Sequence, residues 1–300
     1  MKILYGFKNY IDVTHIFLIN DYVSIPAEDV VRLNMVASDP DFGVVKHILI
    51  LLDDYYITVS ANCSLYSHVK DLSPSSEPIS QSQINTMLQN IHNTLIFKYG
   101  SITDEMPEQC MAVRFIKPTD TVLEIGANIG RNTCVISRLL NDDSRLITLE
   151  TDTNNAATLE SVRTDNNMNF HIVKAGLSQA KLIQQGWNSK PWTDDSIPDG
   201  WSQVNTITWS DLKKMAAPLS FNVLVADCEG ALYYICQEEQ DFFSNFERII
   251  MENDYTNAQH KIYIDNELKR QGFVCIYREA GGWGPCHYCF FETWAKTELF

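Results

Sequence analysis

The residues in this sequence best suited to chemistry sit in four short turns. Leu123-Glu124-Ile125-Gly126-Ala127-Asn128-Ile129-Gly130 closes an apolar, β-branched run with two glycines four apart. A second apolar run, Leu146-Ile147-Thr148-Leu149, ends on Glu150. Asp227-Cys228-Glu229-Gly230 follows a third run, and Glu252-Asn253-Asp254 a fourth. Glycine permits a sharp strand-to-helix turn that brings backbone N–H groups and a positive helix end close to a ligand. An acidic residue at the end of the following strand can accept hydrogen bonds from both hydroxyls of a ribose. Together these read as a nucleoside-binding βαβ unit. Asp227, Glu229 and Asp254 add carboxylates from two further strand ends, suited to acid–base work or to a hard cation. The plainer reading of each is capping of the next helix. Gly230 beside Asp227 and Glu229 favours a site there, whereas Asp152 reads as a cap.

Such turns need a frame that brings them to one edge. Strands are expected near 121–126, 145–150, 170–174, 222–227, 247–252, 273–277 and 288–294, and helices near 130–140, 153–165, 209–216, 230–244 and 258–271. Regular alternation of this kind makes an α/β fold with a parallel sheet covered on both faces, whose ligands sit at the carboxyl ends of the strands. The third strand ends in Ala175-Gly176-Leu177-Ser178, which places Gly176 at the same edge. Two helices precede the first strand. One has Ile84, Leu88, Ile91 and Leu95 at helical spacing, with Ser80 or Ser82 as N-cap; the other covers about Glu105 to Ile116. Residues 1–70 read as a smaller β-rich domain of short antiparallel strands: Lys2–Phe7, Tyr10–Leu18, Tyr22–Ile25, Val44–Leu51 and Tyr55–Ser60. The polar, proline-containing stretch 71–80 reads as a linker, leaving 81–300 as the α/β domain.

Composition excludes several classes. Three hundred residues, 45% apolar, can bury a substantial core. A net charge of −15 without any Lys/Arg cluster argues against a nucleic-acid partner. The longest aliphatic run, Ile48–Leu52, is too short to span a bilayer. The N-terminus lacks a signal-peptide core, so a cytoplasmic location is expected. Eight cysteines in a chain this long do not make a disulfide framework, and Cys286-x-x-Cys289 without a second pair reads as core packing. A homo-oligomer is compatible with all of this.

At this point the ordered motifs resemble a known family. Leu123–Gly130 resembles motif I of S-adenosyl-L-methionine-dependent methyltransferases in the form common in the FkbM family. Asp227-Cys228-Glu229-Gly230 is similar to that family's Asp-aliphatic-Glu-Gly motif, with Cys228 in the aliphatic place. Trp209-Ser210-Asp211-Leu212 resembles its Thr-hydrophobic-Asp-x-Leu segment, and Phe290–Lys296 its closing strand. The match covers roughly 85–300, and Arg131 departs from the small or aromatic residue usual after Gly130. The resemblance implies a Rossmann-like seven-stranded methyltransferase sheet with an antiparallel last strand, and O-methyl transfer to a glycan or another hydroxylated metabolite. It implies that Glu124, Gly126, Asn128, Gly130, Glu150, Gly176 and Asp227 serve the cofactor, with Gly126, Asn128 and Gly130 under its methionine part and Glu150 on its ribose.

Methyl transfer from a sulfonium is an in-line displacement that mainly requires a positioned acceptor oxygen. A base or a metal ion would help its proton leave. Asp227, Glu229, Asp254 and His260 are the candidate catalytic groups. An octahedral Mg²⁺ or Mn²⁺ site built from Asp227 and Asp254 is the alternative to a base, and both stand here. Residues 186–209 carry four of the six tryptophans and read as a long aromatic loop. Flat rings suit the C–H faces of sugars, so Trp187, Trp192 and Trp201 are candidate acceptor contacts, together with Trp283 in Gly281-Gly282-Trp283-Gly284-Pro285. The plainer reading is that they pack the loop onto the sheet, and Trp209 reads as core. Two other functions compete. A nicotinamide oxidoreductase is disfavoured because Gly-x-Asn-x-Gly lacks the pyrophosphate turn. A non-catalytic glycan-binding protein built on the N-terminal module is disfavoured by Gly126, Gly130, Glu150, Asp227 and Glu229 all being in place.

Overall fold

The structure is a computed structural model that describes residues 1–52, 56–72, 79–194 and 196–296. Seven strands form the large sheet: β1 (Val122–Ile125), β2 (Leu146–Leu149), β3 (His171–Val173), β4 (Val223–Ala226), β5 (Arg248–Glu252), β6 (Phe273–Glu279) and β7 (Phe291–Lys296). Across the sheet they run 3-2-1-4-5-7-6. Strands β1 to β5 pair in parallel, and β7 is antiparallel to both β5 and β6. This is the Rossmann-like arrangement with one antiparallel strand that the motif order implies.

Alternation along each strand builds two apolar layers. Leu123, Ile125, Leu224 and Ile249 pack against α5 (Trp209–Ala216), α6 (Ala231–Glu238) and α7 (Ala258–Arg270). Val122, Val223, Val225 and Ile250 pack on the other side with α1 (Gln81–His92), α2 (Met106–Phe115), α3 (Arg131–Leu139) and α4 (Thr153–Asp165). The helix after β4 is shorter than expected: it ends at Glu238, and a 3₁₀ turn covers Phe242–Asn245. Cys286 and Cys289 are buried in the first layer, on a 3₁₀ turn ahead of β7 rather than within a strand.

The N-terminal segment forms two antiparallel sheets, as expected, around an apolar cluster of its own that includes Ile3, Tyr5, Phe17, Ile48 and Ile50. Two helices there, Thr14–Phe17 and Asp29–Val36, were not expected. The second is anchored by Arg32, which is fully buried and donates to the carbonyls of Pro26, Val59, Ser60 and Cys63. The reading of 71–80 as a linker needs correction at its end. Ile79–Ser80 pairs with Cys63–His68, and residues 73–78 lie outside the described residues. Arg114 of α2 also hydrogen-bonds Ser64 and, at 2.6 Å, Gln81.

The aromatic stretch after β3 is not a loop. Leu182–Gln185, Asn188–Pro191 and Ser202–Val204 form a three-stranded antiparallel sheet. Its short, turn-separated strands lack the long β-branched runs by which the central strands are read. Among the described residues no helix is long and apolar enough to cross a membrane.

Candidate active site

Gly126 ends β1 at φ +94, where a Cβ would stand 1.5 Å from the carbonyl oxygen of Asp227. The Asp227 N–H donates to Ile125 O at 3.1 Å. The first glycine is therefore needed for the turns after the paired strands β1 and β4 to lie against each other, a closer constraint than approach of a ligand. Gly130 (φ +96) opens α3, and a Cβ there would lie 2.5 Å from Leu159 Cδ1 of α4. It serves helix packing and does not line the cavity that Gly126, Asn128, Glu150, Gly176 and Asp227 share.

Glu150 is buried and gripped. Its Oε2 accepts the N–H of Asn128 and its Oε1 the N–H of Asp152, both at 2.7 Å. Burial raises its pKa, and these amides oppose the rise by stabilising the charge. Asp152 also caps α4, accepting the N–H groups of Asn154 and Asn155. A carboxylate fixed in this way joins the turn after β1 to the turn after β2.

A second cavity, of about 260 Å³, lies beside the first. It is lined by Lys190, Trp201, Asp254, His260 and Trp283, and meets the first cavity at Ser189 and Glu229. Glu229 holds φ +51 and Asn128 φ +49. Asparagine tolerates that region; glutamate rarely does, and such strain clusters at functional sites. Trp187 lines the first cavity, Trp201 and Trp283 the second, and Trp192 neither. His260 stacks flat on Tyr233, with ring centroids 3.7 Å apart, and burial lowers its pKa. Ser189 escaped sequence reasoning because nothing in Asn188-Ser189-Lys190 announces a strand.

Carboxylates crowd around Asp227, which lines the first cavity. Glu108 of α2, Asp227 and Glu252 bring carboxylate oxygens within 4.8 Å of one another. Burial, reinforced by the charges of Asp254, Glu108 and Glu105, drives Asp227 well above the usual carboxylate range. Burial with Asp227 and Glu108 pushes Glu252 up to about 11. Asp254 stands apart from this cluster and rises to about 7, mainly through burial and Glu229, while the amides of Gly230 and Glu229 favour its charge. The metal pairing expected from the sequence, Asp227 with Asp254, is thus replaced by a grouping with Glu108 and Glu252, because those amides draw the Asp254 carboxylate towards the second cavity. Glu105 and Glu108 arrive on a helix whose position the sequence does not reveal. Arg131 ties that helix to the glycine turn through Asp104 at 3.1 Å and Glu105 at 3.2 Å, which accounts for an arginine after Gly130.

Glu124 does not reach the cavity. Residues 122 and 124 face α3 while 123 and 125 face the opposite layer. Its Oε2 accepts the hydroxyls of Thr133 and Thr148, each at 2.7 Å, inside the core. Burial lifts its pKa from 4.5 to about 7. A raised folded-state pKa stabilises the protein below the unfolded value, and that contribution is lost as pH rises from about 4.5 to about 7. The loss amounts to about 3 kcal/mol. Urea unfolding of wild type and Glu124→Gln across this window is expected to show the variant gaining on wild type by that order; parallel curves would place the titration elsewhere.

No protein-family model matches this chain, and no curated protein matches it. Solved structures resemble it in fold. An O-methyltransferase from Bacillus cereus in complex with S-adenosylhomocysteine is 15% identical over 73% of this chain and 92% of its own, with a TM-score of 0.38. A ribosomal protein L11 methylase from Lactobacillus delbrueckii subsp. bulgaricus is 12% identical over 63% and 76%, with a TM-score of 0.39. TrmK of M. capricolum, in complex with S-adenosylhomocysteine, is 7% identical over 63% and 67%, with a TM-score of 0.39. Identities and scores this low carry no argument about what this chain does.

Proposed function

We propose that this chain is an S-adenosyl-L-methionine-dependent O-methyltransferase of FkbM-like type acting on a hydroxyl of a sugar or glycan, with residues 1–70 as an accessory module. The observation that carries the reading is the lining of the cofactor cavity. Glu150 lines one part of it and Asp227 another, with Glu108 and Glu252 crowded against Asp227. Among the described residues no lysine or arginine lines it. A dinucleotide would bring phosphate charges to the glycine turn, where no described lysine or arginine lines the cavity to balance them, whereas a cationic ligand would let Asp227 ionise. A ligand with a ribose diol at one end and cationic groups at the other complements both ends. The residues fit S-adenosylmethionine on these grounds. When bound it supplies a methyl group on a positively charged sulfonium.

The chain's own residues then have separable tasks. Glu150 orients the ribose. Asp227 and its neighbours balance positive charge. Ser189 and Glu229 border the passage between the cavities, where the acceptor oxygen must sit. Asp254, with Oδ2 lacking a hydrogen-bond partner and a pKa of about 7, takes the hydroxyl proton near neutral pH. His260 is the neighbouring acceptor in the same cavity. Trp201 and Trp283 offer flat faces to sugar C–H groups. If a hard cation assists, Glu108, Asp227 and Glu252 are the oxygen ligands it would use.

Calorimetric titration with S-adenosylhomocysteine and with NADH tests the cofactor. The first is expected to bind and the second not; the reverse would replace this reading with a nicotinamide enzyme. Once an acceptor is in hand, turnover is expected to rise with pH through about 7 as Asp254 loses its proton. Asp254→Asn should lower the rate by 10²-fold or more, on the order expected for a general base, and flatten that rise. An unchanged profile in the variant would remove Asp254 from the role.

A further inference from the structure

The second cavity has one feature that methyl transfer to a neutral sugar does not use. Lys190, on the edge strand Asn188–Pro191 of the small sheet, lines it half-buried. Its Nζ lies 4.4 Å from the Trp201 ring centroid and 5.6 Å from that of Trp192. No carboxylate among the described residues pairs with it, although Glu229 and Asp254 line the same cavity. Glu229 stands at the passage to the cofactor cavity, and Asp254 is held by the amides of Glu229 and Gly230. Indole faces strip water from an ammonium and orient it without neutralising its charge. An ammonium so held, lining the cavity with no described carboxylate paired to it, is a preorganised donor for an acceptor with negative charge.

Resting on the reading of this cavity as the acceptor site, we propose that the acceptor is an anionic sugar, its carboxylate or phosphate bound at Lys190 beside Trp201 while its hydroxyl faces Ser189 and Glu229. The carboxylates and the lysine then divide the cavity into a reacting end and a recognition end. A neutral sugar would leave the Lys190 ammonium without a counter-charge, which is how a polar pocket discriminates.

The test titrates glucose, glucuronate and glucose 6-phosphate into the protein with and without saturating S-adenosylhomocysteine, following binding by calorimetry at low salt. At least one of the two anionic sugars is expected to bind tenfold or more tightly than glucose, and Lys190→Gln to abolish that preference with S-adenosylhomocysteine affinity unchanged. A preference for glucuronate alone identifies a carboxylate, and for the phosphate alone a phosphoryl group. Equal binding of all three sugars, no binding of either anion, or a preference that survives Lys190→Gln overturns the proposal. Failure to bind S-adenosylhomocysteine instead overturns the cofactor reading, while the sugar titration without it still reports on Lys190.

Discussion

Gly126→Ala is expected to destabilise the protein by roughly 3 kcal/mol or more, beyond the usual cost of overpacking, and to deprive it of cofactor binding. The added methyl would sit 1.5 Å from the Asp227 carbonyl oxygen, the shortest such approach at any described glycine. Neither side can withdraw easily. The N–H groups of Gly126 and Ala127 both donate to Leu149 O, at 3.1 and 3.0 Å, and Asp227 N–H is committed to Ile125 O. A φ of +94 adds its own penalty for an L side chain. Gly186→Ala is the control: its φ is +57, but nothing lies within 4 Å of the new methyl. It should cost only about 1–2 kcal/mol, the backbone penalty alone. Denaturant unfolding of the two variants checks the difference. Similar midpoints would mean that the close approach of the turns after β1 and β4 yields more easily than its hydrogen bonds suggest.

Glu150→Ala is the second large effect. Hydrogen bonds to a charged carboxylate contribute about 1.5–3 kcal/mol each, so losing both ribose hydroxyl contacts should weaken S-adenosylhomocysteine binding on the order of a hundredfold or more. The same change strips the Asn128 and Asp152 amides of their acceptor, so part of the loss comes from a looser turn. Glu150→Gln keeps a carbonyl oxygen for one of those amides and should fall between alanine and wild type. Calorimetry on the three proteins decides, and unaltered affinity in Glu150→Ala would place the ribose elsewhere.

Much of this frame was legible in the residues. The central strands are apolar on both faces and closed by glycine or acid, so their bounds and order could be read. The turns carrying Glu150, Asp227 and Glu229 follow directly from them. What stayed hidden depends on facing and approach. Glu124 belongs to the same motif as Gly126, yet strand alternation turns it into the core against Thr133 and Thr148. Gly126 and Gly130 are glycines for reasons that lie across the fold, at Asp227 and Leu159. Glu108 joins Asp227 only because α2 packs where it does. The small sheet at 182–204, with Ser189 and Lys190, is built from short strands whose polar residues resemble those of a loop.

Helix α2 has one further consequence. Its first turn carries Glu108 to Asp227 and Glu252, and its last turn carries Arg114 to Ser64, Gln81 and the face of Tyr277. One helix thus makes contacts in each half of the molecule, and a shortened chain starting near residue 81 would leave Arg114 without its Ser64 partner on the helix that also carries Glu108.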